Sequence, residues 1–275
     1  MKRDEVTAWI NRLPPLPKTI QKLETLFAKT ATPPTNALVE VVESDPALVA
    51  DILAFANSPL FSFATKIGSI QQAVVLFGPQ QIRKMALKSA IFSSFEVDLS
   101  PYGITNDTYI KIASLQSELV FRWYMGVDID KSKILIPLAF MMETGAIVLA
   151  RYMIDNKLVE SFQQDMKRLS VHEAEIHVTG MSTTQVDYTL FEHWGLESIF
   201  FKTLHALDND LYKADFYVEE LAFALKCVRK VLNLQTQFDK QSIQNVIEEL
   251  ETKGYESKKF LHACQSLQKK YEKTT

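Results

Sequence analysis

Six proline-bearing breaks cut the first 101 residues into pieces of helical length, and this punctuation constrains the fold more than any other feature. They are Leu13-Pro14-Pro15-Leu16-Pro17, Thr32-Pro33-Pro34, Asp45-Pro46, Ser58-Pro59, Gly78-Pro79 and Ser100-Pro101. Proline inside a helix removes an N–H and clashes with the preceding turn, so each break closes one segment and opens the next. Between breaks, apolar residues recur three and four apart: Ile20, Leu23, Leu26 and Phe27, then Leu38, Val39, Val41 and Val42, then Leu48, Val49, Ile52, Leu53 and Phe55. Asp45 can accept from free N–H groups at the entrance of a helix over 46–56, and Thr35 and Ser69 are expected to cap two others. Gly78 followed by Pro79 reads as a stop and a start.

The same period continues without a strand-like alternation. Helical patterns cover 109–125, 158–169, 171–178, 184–194, 199–207, 217–232, 241–251 and 258–271. The apolar stretch Ile134–Ile154 carries Pro137, Glu143, Gly145 and Arg151, and reads as a buried core helix rather than a membrane span. The eight glycines in 275 residues are too few for a turn-rich β protein, so the fold class is all-α. The segment 96–106 reads as a connection. It divides the chain into an N-terminal helical part over 1–95, a second over 96–210, and helices over 211–275 that pack on it or extend it.

Composition excludes several functions. Hydrophobic residues at 47% and charged residues at 23% fit a globular chain. A net charge of -3 gives no basic excess for nucleic acid. Cys227 and Cys264 form no CxxC pair and read as buried thiols. The start Met1-Lys2-Arg3-Asp4-Glu5 opens no apolar stretch, so a cytoplasmic protein without membrane contact is expected. His172 and His177 stand five apart, which turns them about 140° from each other on a helix and defeats a zincin-type pair. There is no G-x-S-x-G elbow, P-loop or G-x-G-x-x-G. No catalytic residue, metal ligand or cofactor is assigned. Glu143 stands out on an apolar segment, because a buried carboxylate needs partners.

The order of several motifs resembles the HDOD domain, the HD-related output domain of bacterial signalling proteins. The resembling pieces are Leu13-Pro14-Pro15-Leu16-Pro17, Asp45-Pro46-Ala47-Leu48, Ala56-Asn57-Ser58, Ile67-Gly68-Ser69-Ile70-Gln71-Gln72-Ala73, Leu76-Phe77-Gly78 and Ile82-Arg83, with a weaker match at Glu192-His193-Trp194-Gly195-Leu196. The resemblance implies a multi-helix fold related to HD-domain phosphohydrolases, whose enzymes hold metal through histidines and a His-Asp pair. In this chain those positions fall near Ala113, near Met142-Glu143, near Thr183 and near Leu207-Asp208, and no histidine precedes Val171.

The resemblance therefore implies a non-catalytic signalling module that acts through contacts with unidentified partner proteins. Asp45, Asn57, Ser58, Arg83 and Trp194 are motif positions with a possible recognition role. Asn57 and Ser58 are alternatively the end of a helix and a turn. Two other readings stay open: a phosphohydrolase with a degenerate metal site, and a sensor that binds a nucleotide without chemistry.

Overall fold

The structure, a computed structural model, describes residues 2–30, 32–57, 66–95, 97–209 and 212–272. Among these, the chain forms sixteen α-helices and one 3-10 turn, and its only β-type pairing is an isolated bridge between Leu232 and Gln237. It divides into two compact units. One is built from Leu13–Glu96 with Trp194–Glu197, and the other from Met1–Arg12, Val97–His193 and Ser198–Thr275.

The smaller unit holds α2 (Lys18–Lys29), α3 (Thr35–Glu43), α4 (Pro46–Ala56), α5 (Ile70–Phe77) and α6 (Pro79–Ser94). Helix α3 packs on α2 and α5, and α4 packs on α5 and α6. Its core is aliphatic: Ile20, Leu23, Leu38, Ile52, Ile70, Ile82 and Leu87 are fully buried. Asp45 caps α4 by accepting from Ala47 and Leu48, each at 3.1 Å. Ser69 caps α5 through the N–H of Gln72. Gly78 adopts φ +79 between α5 and α6, a conformation that an L side chain resists. Thr35 departs from expectation. It lies inside α3, whose entrance is the extended Pro34 with no side-chain cap. Pro34 (φ -53°, ψ 134°) takes the non-helical cap position, so Thr35 is already the first helical residue.

The larger unit holds α1 (Lys2–Ile10), the 3-10 turn (Ser100–Tyr102), α7 (Asn106–Tyr124), α8 (Ile129–Met141), α9 (Thr144–Asp155), α10 (Val159–Asp165), α11 (Val171–Thr179), α12 (Thr183–His193), α13 (Ser198–Asp208), α14 (Phe216–Val231), α15 (Lys240–Thr252) and α16 (Ser257–Glu272). Helix α9 is buried from Thr144 to Ala150 and packs along α12, while α7 lies against α8 and α16.

Two expectations change here. The apolar segment Ile134–Ile154 is not one helix but the end of α8 and most of α9. Met142 (ψ 0°) and Glu143 (φ -116°, ψ 11°) leave the helical region between them. The break frees the Met142 carbonyl, and the Arg229 guanidinium takes it. The helix expected over 158–169 ends at Asp165, and the N–H groups of Lys167, Arg168 and Leu169 close a turn onto Gln164 and Asp165.

Candidate functional site

The break between α8 and α9 is the centre of a buried polar cluster in the larger unit. Glu143 is 5% exposed. Its Oε1 accepts from Arg229 Nε at 3.0 Å and from Gln116 Nε2 at 3.1 Å. Arg229, on α14, also donates from Nη1 to the Thr184 hydroxyl and from Nη2 to the Met142 carbonyl. Gln116, on α7, donates a second bond to the Leu232 carbonyl at 2.9 Å. One guanidinium thus ties α14 to the start of α12 and to the gap before α9. A charge removed from water needs this density of partners.

Two further acids close helix entrances in the same cluster. Asp187, on α12, accepts the Gly145 N–H near the start of α9. Glu175, on α11, accepts the Thr183 N–H at 2.7 Å, the Thr183 hydroxyl at 2.6 Å and the Tyr102 hydroxyl at 2.8 Å. Free N–H groups at a helix start favour a carboxylate there. Burial opposes the charge. It pushes the Glu175 carboxyl up to about 7, against the hydrogen bonds from Thr183 and Tyr102, with the Glu143 charge adding to the rise. It also holds Asp187 well above the usual carboxylate range, although Arg229 pulls the other way. Asp187 Oδ2 is buried without a partner among the described residues, as a protonated oxygen tolerates better than a charged one.

Close packing fixes this geometry. A Cβ added at Gly145 would meet the Thr183 carbonyl oxygen at 2.2 Å, so α9 can approach α12 this closely only with glycine there. In front of the cluster lies a cavity of about 410 Å³, whose walls include Glu143, Glu175, Thr184, Arg229, His172 and Leu234.

The family model for the HDOD domain matches residues 13–209. The chain belongs to the HDOD domain family. Solved structures agree in fold. A protein from Marinobacter aquaeolei VT8, provisionally classed under signal transduction, superposes with a TM-score of 0.76 at 20% identity, covering 98% of this chain and 63% of that one. An HDOD domain protein of unknown function from Geobacter sulfurreducens gives 0.68 at 18% identity, over 96% and 93%. A protein from Shewanella amazonensis SB2B, provisionally classed as a phosphohydrolase, gives 0.64 at 18% identity, over 96% and 93%. No curated protein matches the sequence.

Of the positions carried over from HD enzymes, Met142, Glu143 and Thr183 lie in the cluster of this HDOD chain. Met142 is fully buried, and its carbonyl rather than its side chain serves the cluster. Glu143 and Thr183 each take part directly. Ala113 is buried on α7, one turn before Gln116. Leu207 and Asp208 end α13, where Asp208 accepts from the Ser182 hydroxyl at 2.8 Å and from Gln185 at 2.9 Å. Among the described residues, no group of three or more His, Cys, Asp or Glu side chains is placed to hold a metal ion.

The motif positions of the smaller unit do other work. Asn57 joins its own helix to Ile67, donating to the Leu53 and Ile67 carbonyls and accepting the Ile67 N–H. Ser58 lies outside the described residues. Arg83 is 3% exposed, pairs with Glu24 through Nε and Nη2, lies 4.8 Å from the Phe27 ring centroid and stands 3.8 Å from Glu197. Trp194 donates its indole N–H to the Pro14 carbonyl at 3.2 Å and packs on Phe95. The motif residues Pro14, Arg83 and Trp194 are thereby parts of one scaffold.

Among the described residues, His172, His177 and His205 make no hydrogen bond to Glu143, Arg229 or Glu175. His177 meets Asp165 at 2.6 Å with its side chain 65% exposed, and His172 is 53% exposed. His205 lies between the rings of Tyr188 and Tyr212, while Asp208 is engaged by Ser182 and Gln185. Cys227 and Cys264 are buried, and burial pushes each thiol up to about 12.

Proposed function

We infer that this HDOD protein is a non-catalytic regulatory module of bacterial signal transduction and works through contacts with partner proteins. The observation that carries the reading is the Glu143–Arg229 pair. Glu143 is the acid carried over from the HD pair, and a guanidinium stands against it, so the positive charge in this cluster is supplied by the chain itself. Ala113 has no side-chain donor atom, and Met142 has only a soft thioether, a poor ligand for iron, manganese or zinc. Gln116 and Arg229 hold Glu143 by hydrogen bonds, and Arg229 also ties Thr184 and the Met142 carbonyl into the same network. That arrangement suits a structural core better than a reacting centre.

The reading includes a cytoplasmic site of action. The segment Ile129–Asp155 is apolar and long enough to cross a membrane, but 89% of its most apolar window is buried within the fold. The competing reading is metal-dependent phosphohydrolysis, to which the fold relation to HD enzymes points. Metal analysis of the purified protein, with phosphodiester and nucleotide hydrolysis assays, separates the two. The expected result is metal far below one equivalent and no turnover. Stoichiometric iron, manganese or zinc together with turnover would sink the non-catalytic reading. Affinity capture from the native host, with mass spectrometry, then identifies the partner.

A further inference from the structure

Both donors that reach Glu143 end on the same oxygen. Gln116 and Arg229 bind Oε1, and among the described residues Oε2 takes no donor, although the side chain is only 7% exposed. The guanidinium is also not exhausted. Of its five N–H groups, Nε, Nη1 and Nη2 each spend one, on Glu143, Thr184 and Met142, which leaves two. Thr184 accepts from Nη1, and its own proton has no acceptor among the described residues. Glu143, Arg229 and Thr184 all line the cavity of about 410 Å³, a size within the range of small-molecule sites.

A free carboxylate oxygen beside free guanidinium N–H groups complements a flat edge that carries an N–H next to an acceptor. Nucleobases present such edges. Val171 and Leu234 in the wall supply apolar contact for the ring. Charge argues against a phosphate in the same space. Glu143 and Glu175 are in the wall, and the entrance of α11 is already closed by the Ser170–Glu173 capping box, which places a carboxylate where an anion would bind.

We propose that this cavity binds an uncharged nucleobase or nucleoside, with a ring or amino N–H on Glu143 Oε2 and the adjacent acceptor on Arg229. The proposal goes beyond the partner reading and stands apart from it, because binding is measured on the purified chain alone, without partner or metal.

The test is calorimetric titration of the full chain with guanosine, adenosine and uridine, then with 3-methyluridine, N6,N6-dimethyladenosine and the 5′-monophosphates. Saturable binding of at least one nucleoside is expected. Loss of its N–H to methylation should weaken binding by about tenfold or more, as expected when a buried acceptor is left unpaired. Glu143→Gln should weaken it similarly, because the amide can keep its oxygen toward Arg229 and turn a donor to the ligand. Gln235→Trp, at an exposed wall position that makes no bond to Glu143 or Arg229, should fill the cavity and abolish binding in a folded protein. The proposal is overturned if no nucleoside binds, if the methylated forms or the Gln235→Trp protein bind equally well, or if the monophosphate binds more tightly than its nucleoside.

Discussion

Each unit of this protein holds an arginine against a buried glutamate, and the two pairs are built differently. In the smaller unit, Arg83 meets both oxygens of Glu24, with Nε on Oε1 and Nη2 on Oε2, and its plane is backed by Phe27. In the larger unit, Arg229 meets one oxygen of Glu143 and spreads its other groups over Thr184 and Met142, with its side chain 24% exposed toward a cavity. The first arrangement is closed: the carboxylate and guanidinium satisfy each other. The second leaves hydrogen-bonding capacity facing the cavity. A closed buried pair organises a core, whereas an open one beside a cavity is equipped to meet something else.

The largest test removes one partner from each pair. Glu24→Ala leaves Arg83 charged, 4% exposed and without its bidentate acceptor, with Glu197 distant at 3.8 Å. Breaking such a pair costs about 3–5 kcal/mol. Arg229→Met leaves Glu143 with Gln116 and with the cavity, where water reaches the carboxylate, so about 1–2 kcal/mol is expected. Urea unfolding of both variants checks this. Equal losses would erase the distinction between a closed and an open pair.

The next test uses protons. Both oxygens of Glu24 are matched by Arg83, but Arg229 is one cation among Glu143, Glu175 and Asp187. The folded-state value of Glu175 is about 7 against an ordinary 4.5. Between these values the folded chain holds a proton that the unfolded chain has released. The contribution of Glu175 to stability is therefore full below about 4.5, falls as pH rises to about 7 and is lost above it, a change of up to ~3 kcal/mol. Asp187 is shifted in the same direction and steepens the same slope. Urea midpoints at about pH 5 and about pH 8 measure it, and Glu175→Gln should flatten much of the difference. A rise in stability across this interval would mean that the acids are charged and well paired.

A third test addresses the packing of α9 on α12 behind the cluster. Gly145→Ala places a methyl 2.2 Å from the Thr183 carbonyl oxygen and 3.0 Å from its carbon. Both are backbone atoms that cannot rotate away, so α9 and α12 must separate. Overpacking of this kind costs about 1–3 kcal/mol, read as a lower melting temperature. Widening the gap should also weaken the Gly145–Asp187 bond and increase the pH dependence above.

These particulars show what the sequence could and could not disclose. The smaller unit was legible because its signals are local: Asp45 before Pro46, Ser69 before an apolar run, and Gly78 before Pro79 each act within a few residues of themselves. The helix break at Met142-Glu143 was not legible, because the partner that takes the freed carbonyl is Arg229, 87 residues away. Gln116, Asp187 and Glu175 were passed over for the same reason. Each is a polar residue in a helical pattern, indistinguishable in sequence from a solvated one until the fold buries it. Gln116 between Leu115 and Leu119 was the best available hint, since its neighbours mark that face as buried. Arg229 lies beyond the span matched by the family model, in a part of the chain that carries no motif, yet it organises the cluster.

The smallest test is a control on the comparison itself. Asp45 in the smaller unit and Ser170 in the larger one both cap helices at the surface, one with two N–H groups and one through a capping box with Glu173. Asp45→Ala and Ser170→Ala should each cost about 1 kcal/mol by urea unfolding, because cap energies depend on local geometry and little on the unit around them. Equal small losses here, beside unequal losses for Glu24→Ala and Arg229→Met, would assign the difference to how each buried pair is closed. If the caps differ as much as the pairs do, then one unit is simply less stable than the other, and the open pair at Glu143 loses its special standing as the feature that sets the larger unit apart.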